Sequence, residues 1–133
     1  MTTKIFLGLN ALLFIGYGLL CLVWPSVVAD QTGMALTTGV ASAEVRAMYG
    51  GLQTAIGLLA LLALLRPGTQ AAVLLSLGFL FVGLASGRAI GILAVPDAGA
   101  YNTAAAVFEA LFGILAFVLL SRSPAAQPAR LAA

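Results

Sequence analysis

Four long apolar segments alternate with short polar breaks along the chain. They cover residues 5–24, 43–65, 71–95 and 101–121. Each approaches or exceeds the roughly 20 residues that carry a helix across about 30 Å of hydrocarbon. Backbone groups in lipid must bond within their own segment, so the pattern predicts helices. Trp24-Pro25 closes the first segment, with the indole suited to an interface. Arg66-Pro67-Gly68 separates the second from the third, and Pro96-Asp97-Ala98-Gly99 the third from the fourth. The expected fold is all-α: a polytopic membrane four-helix bundle built from two helical hairpins, one transmembrane domain over 1–122. The tail 123–133 is small-residue and Pro-containing and is expected to be disordered. The first segment exceeds the length of a typical signal-peptide core, so it is expected to be a retained span.

Charge placement sets an orientation. Lys4, Arg66, Arg122 and Arg130 fall on one side of a four-span layout, and Asp30, Glu44 and Asp97 on the other. The positive-inside rule then puts both termini in the cytoplasm of a bacterium, with the chain in its inner membrane. The 25–42 connection lies outside, where it is placed to cover an opening between helices.

The second and fourth segments align without a gap. Arg46 falls on Asn102, Gln53 on Glu109, Gly57 on Gly113 and Ala60 on Ala116. The first and third align more weakly, with Gly16-Tyr17 on Gly87-Arg88. The matched polar positions read as a duplicated hairpin, whose halves run in the same sense about an axis along the membrane normal. The alternative is coincidence among Leu/Ala-rich helices.

Composition narrows the chemistry. Of 133 residues, 62% are hydrophobic and 8% charged, against about 25% charged in soluble domains. The net charge of +2 is scattered, with no basic run interleaved with aromatics, so nucleic acid is not a partner. The chain has no histidine and one cysteine, Cys21. That removes histidine-held haem and iron, most zinc chemistry and any CxxC redox pair. No cofactor and no metal are expected.

One arginine, Arg88, stands deep in the third segment. Glu109 lies 13 residues from Arg122 and Arg88 8 residues from Pro96, and at about 1.5 Å per residue the two heights nearly coincide. A charge left alone there costs at least about 2.5–3.5 kcal/mol, so the two are expected to pair in the outer half of the membrane. The repeat puts Gln53 and Tyr17 at the same level. Arg46, Tyr49, Gln53 and Gly57 follow helical spacing and so are expected on one face, with Asn102 mirroring Arg46. The candidate ligand-binding set is Tyr17, Arg46, Tyr49, Gln53, Arg88, Asn102 and Glu109. Two arginines against one glutamate suit a carboxylate, phosphate or other electron-rich head. Each member also has a plainer reading: a clasp fixing helix register for Arg88 and Glu109, snorkelling for Arg46, and ordinary core packing for Tyr17 and Tyr49. Gly83, Gly87 and Gly91 form a GxxxGxxxG row. It is expected to pack within the bundle, with Gly8, Gly16 and Gly18 as partners, or else to form a homo-oligomer face.

The run Val45-Arg46-Ala47-Met48-Tyr49-Gly50-Gly51-Leu52-Gln53, followed by Gly57, resembles the domain-of-unknown-function family 4345. These are small bacterial four-helix membrane proteins with an Arg-Ala-x-Tyr-Gly-Gly start to the second helix. Arg88 and Glu109 are similar to that family's charged positions on the third and fourth helices. The resemblance implies the architecture and the site, and it names no reaction. Where relatives carry Glu on the second helix this chain has Gln53, which argues against a two-carboxylate mechanism. More loosely, the chain resembles DoxX-type four-span proteins.

Three functions compete. The first is binding or carrying a small polar-headed or lipid-like ligand. The second is an accessory or assembly subunit with a membrane-protein partner. The third is a cofactor-free isomerase-like enzyme on a lipid-like substrate, with Glu109 as acid/base; a carboxylate already engaged by an arginine suits that role poorly, so the expectation leans away from an enzyme. Membrane lipids surround the chain in all three.

Overall fold

The computed structural model describes residues 1–95 and 98–123. The expected break at Pro96-Asp97 and the expected disordered tail from 124 onward lie outside the described residues. Among the described residues the chain is helical and has no strand. It forms α1 (Thr2–Val23), α2 (Ser26–Thr32), α3 (Gly39–Leu65), α4 (Gln70–Ala94) and α5 (Gly99–Ser121). All but α2 are long and apolar enough to cross a membrane. At 22 residues α1 alone measures about 33 Å. Bulky apolar side chains point outward along these helices: Leu12, Phe79, Ile90 and Leu111 are all more than 60% exposed. Such a surface is unsuited to water and suited to lipid.

The sequence pattern gives four helices and the structure five. The 25–42 connection is not a plain loop: Pro25, at φ −63°, starts α2, which ends on Gly33 in the left-handed conformation at φ 72°. A side chain at that φ is disfavoured, which is why glycine stands there. α3 begins at Gly39, earlier than the apolar pattern suggests, because Thr38 caps it by accepting from Ala41 N at 3.1 Å. α2 and the start of α3 close over a small core of Cys21, Val28 and Val45, with Tyr17, Leu36 and Tyr49 packed against it.

α3 is not α-helical throughout. Arg46–Gly51, the RAMYGG run, forms a π-turn. Such a turn holds one extra residue, so faces before and after it slip by about 100° relative to α-helical spacing. The expected stripe of Arg46, Tyr49, Gln53 and Gly57 therefore does not follow from their spacing, since Arg46 and Tyr49 lie within the turn and Gln53 and Gly57 beyond it.

The chain divides into two compact units, Met1–Pro67 and the segment from Gly68 onward. In the first, α1 and α3 run antiparallel. A Cβ at Gly18 would sit 2.5 Å from Thr54 N, one at Gly57 2.6 Å from Ile15 N, and one at Gly50 2.7 Å from Leu22 Cγ. In the second, α4 and α5 run antiparallel through Gly113, whose Cβ would lie 2.9 Å from Val82 Cγ2, and Gly78, whose Cβ would meet the Phe117 ring at 2.8 Å. Phe81 meets Phe108 and Phe112 edge-on along the same seam, and those two rings lie tilted against each other. Within the second unit the glycine row takes no part in these contacts. Gly83, Gly87 and Gly91 are exposed and have nothing within 4 Å of a built Cβ, as do Gly8 and Gly16, while Gly18 packs on α3. Four-residue spacing reveals a stripe but not the face it lies on.

Candidate functional site

The charges that the sequence places at one height do meet. Arg88, on α4, donates through Nε to Glu109 Oε1 at 2.9 Å and Oε2 at 3.0 Å, on α5. Its Nη1 donates to Asn102 Oδ1 at 2.8 Å. Asn102 is itself held in place, its Nδ2 donating to Ala98 O at 2.7 Å. The Tyr101 ring lies 5.7 Å from the guanidinium carbon, within cation–π range. The Glu109 side chain is 8% exposed and that of Arg88 23%.

Antiparallel geometry explains the set. α4 climbs as α5 descends, so Asn102, two turns from Glu109 on α5, comes within reach of the long Arg88 side chain. Close contact at Gly113 brings the helices near enough for a short, direct pair. Pairing removes much of the penalty for a charge away from water, and the amide takes up a further N–H. The arrangement holds an acid and a base in fixed register and offers polar atoms where the surroundings are hydrocarbon.

The other candidates lie in the first unit and do different work. Arg46 donates through Nε to Leu22 O at 3.0 Å and through Nη1 to Ser42 Oγ. Leu22 O is among the last carbonyls of α1, which have no acceptor role within the helix, and a cation there also opposes the helix dipole. Arg46 thus acts as a cap in trans for α1. Tyr17 donates to Gln31 Oε1, on α2, at 3.3 Å. Tyr49 packs in the Cys21 core. Gln53, the sequence counterpart of Glu109, has a buried Oε1 with no hydrogen-bond partner among the described residues. Asn10, fully buried on α1, also has an Oδ1 without a partner among the described residues, while its Nδ2 donates to Phe6 O at 2.8 Å.

Sequence reasoning missed Tyr101. An aromatic residue in the first turn of the fourth segment, beside Asn102, is the signal that marks it. Along α4 and α5 runs an open groove of about 450 Å³, lined by Val82, Ala85, Ser86, Ala89, Ala106 and Ala110 among others. Among the described residues no cluster of His, Cys, Asp and Glu is set to hold a metal.

Long apolar helices and a buried ion pair define a membrane protein with a polar site in its second hairpin. The model for the domain of unknown function DUF4345 matches residues 2–120, and the chain belongs to that family. No curated protein and no solved structure matches it significantly, and the looser likeness to DoxX-type proteins finds no support.

Proposed function

We propose that this protein binds or carries a small polar-headed or lipid-like ligand at the Arg88–Glu109 pair. The supporting observation is the pair itself. A half-buried arginine meets a buried glutamate in spans that need neither for solubility, and ionisable groups in such places mark binding or conduction paths. Positive-inside orientation puts them in the outer half of a bacterial inner membrane. The double variant Arg88→Gln/Glu109→Gln keeps the site neutral and is the test. Lipid-soluble molecules extracted from purified wild-type protein and identified by mass spectrometry should include at least one species that the folded double variant lacks. Identical extracts would make the pair a clasp between helices and nothing more.

The open glycine row favours a second reading, an assembly subunit of a larger membrane complex. Gly83, Gly87 and Gly91 are not used within their own hairpin, and small residues at this spacing admit a second helix closely. On this reading Gly87→Leu releases a partner or a second copy in mild detergent without lowering thermal stability. A single species of unchanged mass in both wild type and variant would remove it.

A further inference from the structure

The three helices of the first unit are fastened unequally. α1 and α3 are locked together by close backbone approach. A Cβ at Gly18 would lie 2.5 Å from Thr54 N, and one at Gly57 2.6 Å from Ile15 N. Arg46 adds a clamp at the end of α1, through Leu22 O and Ser42 Oγ. These contacts join α1 to α3 without passing through α2.

α2 is held far more lightly. Val28 is the buried residue of its seven, while Asp30, Gln31 and Thr32 are exposed. Tyr17 reaches it through a hydrogen bond to Gln31 Oε1 that is exposed and, at 3.3 Å, long for a hydroxyl donor. Other polar bonds of the segment are its own: Thr32 Oγ1 donates to Val28 O at 2.7 Å, and Gly33 N to Ala29 O at 2.8 Å. They travel with the helix if it moves. Its C-terminal joint is soft, with Gly33 at φ 72° followed by 34–38 without regular structure. Against Val28 lie Cys21, which has no exposed surface, and Val45, with Tyr17 and Tyr49 packed on the cluster. Cys21 is two residues from the end of α1 at Val23, about 3 Å along the axis. An element fastened by one buried side chain opens at a fraction of the cost of unfolding the hairpin.

We infer that α2 is a lid on the first hairpin, lifting as a unit between Pro25 and Gly39 to open the Cys21–Tyr17–Tyr49 cluster to water while the α1–α3 seam stays closed. An open share on the order of 1% is ordinary for states so close in free energy. The groups uncovered are a thiol and two phenols, so the lid governs access to polar side chains at one end of an apolar hairpin. It stands independently of the reading of Arg88 and Glu109.

Cys21 is the single cysteine of the chain and reports the opening directly. The full chain in mixed micelles is treated with a sulfonated maleimide, whose charge confines it to water. Cys21 should be modified at SDS fractions well below the unfolding midpoint. The rate there should be nearly independent of SDS, because a local opening exposes little new surface. Val28→Ala should raise that rate about tenfold, the factor given by two lost buried methyl groups. Gln31→Ala, at an exposed position that leaves the core intact, should raise it about threefold through the lost hydrogen bond. A rate that climbs in step with global unfolding overturns the lid, since the thiol would then be reached only when the hairpin comes apart. A rate that neither substitution changes overturns it as well.

Discussion

Replacing Arg88 by Gln should destabilise the protein by about 3–5 kcal/mol, the cost of leaving one member of a buried pair without its partner. Glu109 would keep its burial and lose its one donor among the described residues. Asn102 would lose the N–H that its Oδ1 accepts. Arg88→Lys should recover only part of the loss. An ammonium is a single point of charge on a flexible stem, and it cannot span Glu109 and Asn102 as a planar guanidinium does. Unfolding by SDS titration in mixed micelles reads both effects. An Arg88→Gln protein as stable as wild type would mean that the charges are solvated and the pair is incidental.

The second large effect lies at the α1–α3 contact. Gly18→Val should cost about 3 kcal/mol or more, because overfilling a packed interface forces backbone to move. The new Cβ would fall 2.5 Å from Thr54 N and 2.8 Å from Gly50 O. Both are backbone atoms, and no rotamer change relieves the overlap. Gly16→Val is the matched control: same helix, same propensity change, open space around the Cβ. It should shift the unfolding midpoint little. Equal losses from the two would show that helix propensity and not close approach sets the cost.

The contrast between those two glycines bears on what a sequence can reveal. The spans were legible because only length, apolarity and breakers matter in lipid. The Arg88–Glu109 pair was legible because α-helical rise converts residue number into depth, and both helices have a fixed reference in Pro96 or Arg122. Faces were harder to read. The glycine row of α4 has the spacing of a packing stripe, but which neighbour it meets depends on helix rotation, and the helices meet at Gly78 and Gly113 instead. The π-turn at RAMYGG left no periodic trace, so the stripe through Arg46 and Gln53 was drawn on the wrong geometry. α2 was hidden because seven residues that follow a proline look like a stop. Tyr101 carries no charge and follows no repeat, so nothing in the sequence beyond its place beside Asn102 marks it as the ring that lies against Arg88.

The account stands on the energetic coupling of Arg88 and Glu109, and a double-mutant cycle measures it most directly. Stability in lipid bicelles is determined for wild type, Arg88→Gln, Glu109→Gln and the combination. The prediction is that the combined variant loses at least about 1 kcal/mol less than the sum of the two single losses, the signature of groups in direct contact. Losses that add to within about 0.5 kcal/mol would show that the two side chains do not act on one another. The polar site would then have no basis.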